Sequence, residues 1–374
     1  MKRKHVQLLV GLLVSGLFIW LAFAAGNVTL ASIIDAFGKT NWWWAIPMVI
    51  LTMASFYWRT FRWKLLLDPV REVPPGRLFG PLMIGFAFNN IFPARAGEFA
   101  RPLALARQEK IPLGAGLSTI IVERIVDVAT LLVLLILMPL YITLDPTVTR
   151  TLPINDRNIE FGAPLIEATL PKLSIISLLL LAGVISFMIP VIKNFYVWLL
   201  ESTLLINRYV AIVPTIVVRK LVDFTNDFAK GLEALRSVRV LTLVALHSAI
   251  IWATVGFTFQ MMSWGFPGVA MTYGQAMAFL VVTCVVISIP SSPGFWGIYE
   301  FGGMVALLMM GVVPDTDEGA SQAFAFTLVV HFLQWVPITA YGLWAAGKLS
   351  ISSDNLTADD AADPKVERDA QASV

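Results

Sequence analysis

The stretch that decides the fold reads Asn89-Asn90-Ile91-Phe92-Pro93-Ala94-Arg95-Ala96-Gly97-Glu98-Phe99-Ala100-Arg101. It ends an apolar run from Leu78 to Phe92, stops it with a proline, and opens a new run that carries charge. Proline removes a backbone donor and small residues permit a tight reversal, so the pattern predicts a helical arm, a turn and a return arm. A second stretch has the same plan: Ile289-Pro290-Ser291-Ser292-Pro293-Gly294-Phe295-Trp296-Gly297-Ile298-Tyr299-Glu300, after an apolar run from Tyr273 to Ile289. Both read as re-entrant helical hairpins.

The chain around these breaks is apolar. Of 374 residues, 57% are hydrophobic and only 14% charged, with a mean hydropathy of +0.76. A soluble domain carries about 25% charged residues, so lipid is the solvent this composition fits. Crossing the hydrocarbon takes about 20 mainly apolar residues. Windows of that kind run over Val6 to Ala25, Leu117 to Leu137, Ser174 to Ile192 and Val240 to Trp264, with less uniform ones over Trp42 to Trp58 and Gln322 to Ala346. Trp42, Trp43 and Trp44 at one end, and Trp58 and Trp63 at the other, form an interfacial aromatic belt. The expected fold is therefore all-α: a polytopic membrane protein of about six full transmembrane helices plus two re-entrant hairpins.

Orientation follows from the basic residues. Lys2, Arg3 and Lys4, the 58–77 loop, the first return arm, the 193–239 segment and Lys348 are assigned to the cytoplasm, and the acidic loop Pro314 to Ala320 to the outside. Both termini are then cytoplasmic and the hairpins enter from opposite faces, the arrangement of an inverted repeat. Residues 1–350 form one transmembrane domain. Within 193–239, Val217, Leu221, Phe224, Phe228, Leu232 and Leu235 recur at helical spacing beside basic residues, as in an interfacial amphipathic helix. Residues 351–374 are polar and acidic and are expected to be a disordered cytoplasmic tail. The first apolar run is read as a retained helix, with a signal peptide cleaved after Ala22-Phe23-Ala24 as the alternative.

The third charged site, Glu123-Arg124-Ile125-Val126-Asp127, lies inside the Leu117 to Leu137 window. Each such charge costs about 2.5–3.5 kcal/mol at a bilayer centre, so these side chains need protein partners, for which Arg95 and Arg101 are the candidates. Either a structural ion network or a substrate site satisfies that need. Glu98 and Glu300 open helices, where a carboxylate accepts from free backbone N–H groups. The candidate translocation set is Asn89, Pro93, Arg95, Gly97, Glu98, Arg101, Glu123, Arg124, Asp127, Pro290, Pro293, Gly294, Gly297 and Glu300.

Other chemistry finds no support. Cys284 is the only cysteine, so an intrachain disulfide or a CxxC site is excluded. His5, His247 and His331 are too scattered for a metal site, and neither a P-loop, a nucleophile elbow nor a dinucleotide fingerprint occurs. No cofactor and no catalytic residue is expected. A net charge of +2, carried in short loops, gives no basis for nucleic-acid binding.

Taken in order, N-x-x-x-P-x-R-x-G-E-x-x-R, E-R-x-x-D and P-x-x-P-G-x-x-G-x-x-E resemble the lysylphosphatidylglycerol synthase transmembrane (flippase-like) family, from the first span to about Gly347. The resemblance implies a multi-pass protein of a bacterial or archaeal plasma (inner) membrane that translocates lipid. The family's best understood member continues into an aminoacyl-transfer domain, whereas a short acidic tail follows Gly347 here, so synthase activity is not implied. The leading expectation is a flippase for a phosphate-bearing lipid (phospholipid, aminoacyl-phospholipid or polyprenyl-linked), with Arg95, Arg101 and Arg124 pairing the phosphate. Its partner is a membrane lipid with an anionic headgroup, and self-association stays open. The alternative is a non-catalytic membrane subunit that assists a glycosyl- or aminoacyl-transferase of cell-envelope lipid synthesis.

Overall fold

The computed structural model describes residues 3–26, 28–93, 95–142, 149–154, 157–162, 237–288 and 292–349, with parts of 171–202. Pro290, the amphipathic pattern from Val217 to Leu235 and the tail from 351 lie outside the described residues, and of the Ser174 to Ile192 window residues 174–180, 182 and 186 are described, as helix.

Ten helices carry the described fold: α1 (Arg3–Gly26), α2 (Leu30–Lys39), α3 (Ala45–Leu67), α4 (Pro75–Ile91), α5 (Gly97–Glu109), α6 (Leu113–Leu137), α7 (Val238–Trp264), α8 (Tyr273–Val286), α9 (Ile298–Met309) and α10 (Asp317–Lys348). The departure from helix is an antiparallel hairpin of β1 (Thr149–Ile154) and β2 (Arg157–Gly162), outside the apolar windows and flanking the turn-prone pair Asn155-Asp156. Helix starts follow local chemistry. Thr29 caps α2 and Thr272 caps α8 through reciprocal side-chain bonds with Ser32 and Gln275, while Thr316 accepts from the Gly319 N–H to open α10.

Large apolar side chains point outward: Leu13 and Leu17 of α1, Ile46 and Ile50 of α3, Leu241 and Leu246 of α7, and Phe332 and Leu343 of α10 are all exposed. Such surface is stable against lipid and unstable against water. By length and low charge, α7 and α10 qualify as spans. α3, with 23 residues, and α6, with 25, are long enough but carry charged residues, of which the fold buries Arg62, Glu123 and Asp127.

α3 runs nine residues beyond the Trp58 boundary that the aromatic belt suggests, so Arg59 and Arg62 are helical and inside the protein rather than in a cytoplasmic loop. Trp63, taken as a belt residue, is fully buried. Its indole N–H donates to Thr119 Oγ1 of α6 at 3.0 Å.

The two halves repeat one plan. In α3–α6 and again in α7–α10, a long helix is followed by a hairpin of two shorter helices and then another long helix, and each packs against its sequence neighbours. The halves meet through α3 on α7, and the contact of α4 with α10 has its counterpart in α8 with α6. The turns share the spacing of three residues. Pro93 and Pro293 each stand two positions before a left-handed non-glycine residue, Arg95 (φ 53°) and Phe295 (φ 60°), and four before a glycine that opens the return arm, Gly97 and Gly297.

Glycine is required at these openings. A Cβ on Gly97 would collide with the Gly85 carbonyl oxygen of α4, so the arms close only because both residues lack one. Gly297 is at φ 89°, and a Cβ there would collide with the Ser15 carbonyl oxygen of α1. α1 is built into the second half: Ser15 Oγ donates to Ser292 Oγ at 2.6 Å, Phe18 packs on Phe301, and Phe23 on Phe324. Cleavage after Ala24 would remove all three contacts.

Gly97→Ala is expected to force the first hairpin open and destabilise the protein by about 1–3 kcal/mol, read as a lowered unfolding midpoint in detergent. Gly114→Ala, in α6 with open space around it, should leave the midpoint unchanged or slightly raised.

Candidate functional site

The centre of the first half is a buried cluster in which α3 supplies Arg59 and Arg62, α5 Arg101, and α6 Glu123, Arg124 and Asp127. Glu123 is fully buried. Arg101 donates to both its oxygens, Nη1 to Oε1 at 2.9 Å and Nη2 to Oε2 at 2.7 Å, the two-point geometry that suits a guanidinium to a carboxylate. The Arg101 guanidinium also stacks on the Trp63 ring, 3.7 Å from its centroid, which removes it from lipid and fixes its plane. Arg124 Nη2 adds a third bond to Glu123 Oε1 at 2.8 Å.

Asp127 lies one turn further along α6. Arg62 Nη1 approaches its Oδ1 at 2.6 Å and Arg124 Nη2 its Oδ2 at 3.2 Å, with Arg59 Nη1 at the limit of an ion pair, 4.0 Å from Oδ2. Arg62 is fully buried, and its Nη1 also donates to Ser248 Oγ at 3.0 Å, which draws α7 into the cluster. Exposure is graded across the set: the side chain of Arg124 is 36% exposed, those of Arg59 and Asp127 slightly open, and Arg62 and Glu123 closed. The Nε atoms of Arg59, Arg62, Arg101 and Arg124, together with Arg62 Nη2, have no hydrogen-bond acceptor although buried.

The first turn stands partly apart from this cluster. Asn89 Oδ1 accepts from the Gly97 N–H at 2.8 Å, so Asn89 closes the hairpin and caps α5. Arg95, 52% exposed, pairs loosely with Glu98 at 3.8 Å and joins neither Glu123 nor Asp127; of the two arginines expected to partner the α6 charges, only Arg101 does so. The left-handed backbone at Arg95 turns the side chain outward, whereas Arg101, a turn into α5, faces α6.

In the second half Glu300 is buried between two partners. Its Oε2 accepts from the Gly297 N–H at 2.6 Å, the capping role its position at the helix start predicts, and its Oε1 shares a 2.6 Å hydrogen bond with His331 Nδ1 of α10. The imidazole is stacked between Trp296 and Tyr299, each ring centroid 4.3 Å away. Gly294 lets the turn press against the Asn90 carbonyl and the Trp335 indole, so the two hairpin tips touch. Asn90 itself donates to Thr339 Oγ1 of α10 at 2.9 Å. Pro93 and Pro293 flank the two reversals.

Arg59, Arg62 and His331 are the site residues that sequence reasoning misses. The available signal for the first two is spacing: three residues apart, they share a helix face with Phe56 and Trp63, an apolar periodicity that continues to Leu67. His331 carries no local signal, because only the fold brings it to Glu300, 31 positions away.

These features define a class: an integral membrane protein whose described residues form two similar sets of four helices, each with a broken hairpin whose return arm carries a buried charge paired to the next helix. The family model for the lysylphosphatidylglycerol synthase TM region matches residues 8–342, and the chain belongs to that family. It is also similar to a UPF0104 membrane protein of the archaeon Methanocaldococcus jannaschii, 33% identical over 135 residues. That similarity covers 35% of this chain and spans 40% of the length of the relative.

Glu123→Gln would leave Arg101 and Arg62 short of charge inside the protein and is expected to cost about 3–5 kcal/mol, read as a large fall in the unfolding midpoint in detergent. Arg95→Ala should leave that midpoint close to wild type, because its only ion pair among the described residues is exposed.

Proposed function

We propose that this chain moves a lipid with a phosphate-bearing headgroup between the leaflets of a bacterial or archaeal plasma membrane, without chemical conversion of the lipid. The observation that carries the reading is the largely buried set that, among the described residues, gathers four guanidinium groups around two carboxylates, beside unsatisfied N–H donors. A site with surplus positive charge and free donors is complementary to phosphate oxygens. It sits where the first return arm, α5, meets α3, α6 and α7, and membership of a synthase-type transmembrane family agrees with a lipid-linked role.

An apolar cleft of about 380 Å³ lined by Leu51, Ala253, Thr254, Phe257 and Tyr273 gives further support. Leu51 lies roughly 12 Å along α3 from Arg59, so one lipid could place its headgroup at the cluster and a chain in the cleft. In this reading six helices span the bilayer with both termini in the cytoplasm and the hairpins dip in from opposite faces. Movement of one half against the other would expose the site to each leaflet in turn. Glu300 and His331 hold the second hairpin tip to α10 during that motion.

Protein reconstituted in liposomes with tail-labelled lipids is expected to accelerate leaflet exchange of at least one phosphate-bearing lipid. Arg124→Gln, which alters the most open member of the cluster, should slow it about tenfold or more while the protein stays folded. Absence of protein-dependent exchange across a broad panel of phosphate-bearing lipids would overturn the reading.

A further inference from the structure

The charge on the buried cluster is countable. Arg59, Arg62, Arg101 and Arg124 face Glu123 and Asp127, which leaves a surplus of two positive charges. Among the described residues, nearby groups do not cancel it. Glu98 lies close enough to Arg124 to act on it, but Glu98 pairs with Arg95, so together they add nothing. His247 accepts the Trp58 indole N–H at Nδ1 and so carries no proton there. Cys284 of α8 is also close to Arg59 and Asp127, and a thiol is neutral near pH 7.

The surplus has a location. Arg101 is committed to Glu123, and Arg62 is closed to solvent and shared between Asp127 and Ser248. Arg59 and Arg124 remain the members with some exposure, both leaning on the same oxygen of Asp127, Arg124 through an Nη2 that it also shares with Glu123 Oε1. Arg59 has the looser hold, at 4.0 Å, and each has an unpaired Nε–H.

We infer that the site is matched to a phosphomonoester dianion held between Arg59 and Arg124, the headgroup of a phosphatidic-acid-like lipid or a polyprenyl phosphate, in preference to a phosphodiester. The inference rests on the lipid-translocation reading and narrows its substrate. A phosphomonoester carries about −1.5 to −2 charges at pH 7 and three acceptor oxygens. A phosphodiester carries one negative charge, and an aminoacylated one offsets even that with its ammonium groups. In a site of low dielectric each uncompensated charge is costly, so the ligand that neutralises the cluster is the one that binds. The mismatch grows from monoester to diester to aminoacyl diester.

The test is leaflet exchange in proteoliposomes of the full chain, with four tail-labelled probes: phosphatidic acid, a short polyprenyl phosphate, phosphatidylglycerol and lysyl-phosphatidylglycerol. Exchange of one or both monoesters is expected to exceed that of phosphatidylglycerol at least about tenfold, with the aminoacyl lipid slowest. The two monoesters distinguish a glycerolipid from a polyprenyl substrate. Arg59→Gln removes one surplus charge yet leaves Asp127 with Arg62 at 2.6 Å and Arg124 at 3.2 Å, and it should abolish most of the monoester advantage. Equal or faster exchange of phosphatidylglycerol or its lysyl derivative, or an undiminished monoester advantage in Arg59→Gln, overturns the inference and leaves lipid translocation standing. No exchange of any probe overturns both.

Discussion

The pairing of Arg101 with Glu123 is the constraint on which the rest of the structure depends. A lone arginine or glutamate in a membrane interior is too costly to keep, whereas a two-point ion pair stacked on Trp63 and ringed by further arginines is tolerable. Satisfying that pair fixes the return arm α5 against α6. This sets the first hairpin, and the close approach of Gly85 to Gly97 follows. Arg62 then extends the network to α3 and, through Ser248, to α7 of the other half. Electrostatic need and helix packing therefore specify the same arrangement.

The second half solves the same architectural problem with different chemistry. Its turn shares three features with the first, a proline, a left-handed residue two positions on and a glycine four positions on, although Gly297 is left-handed where Gly97 is helical. The buried charge on its return arm is a carboxylate, Glu300, whose partner is a histidine held between aromatic rings. Among the described residues, the buried cluster of the first half consequently has more positive than negative charge, while the buried carboxylate of the second, Glu300, has a partner on each oxygen. A shared element order with divergent side chains is what a structural repeat yields when, as we propose, only one copy serves the ligand. The charge asymmetry is the physical basis for placing the phosphate in the first half.

Much of this was legible in the sequence. The apolar windows located α1, α6, α7 and α10 to within a few residues, and the two proline breaks located both hairpins, because lipid makes long apolar runs and their interruptions unambiguous. The capping role of Glu300 was readable from its place at a helix start. The end of α3 was not. Tryptophans are interfacial often enough that Trp58 and Trp63 look like a boundary, but here one faces His247 and the other is buried under a guanidinium. That misplacement also hid Arg59 and Arg62, which counted as cytoplasmic charge when they are part of the core. Contacts between distant elements, Glu300 with His331 and the hairpin tips with one another, leave no local trace at all.

The most direct measurement of the central claim is an electron cryo-microscopy map of the protein in nanodiscs containing phosphatidic acid. The account predicts headgroup density bridging the guanidinium groups of Arg59 and Arg124, with Arg101 still paired to Glu123. A map in which the lipid phosphate binds elsewhere, and Arg59 and Arg124 are neutralised by protein carboxylates alone, would contradict it.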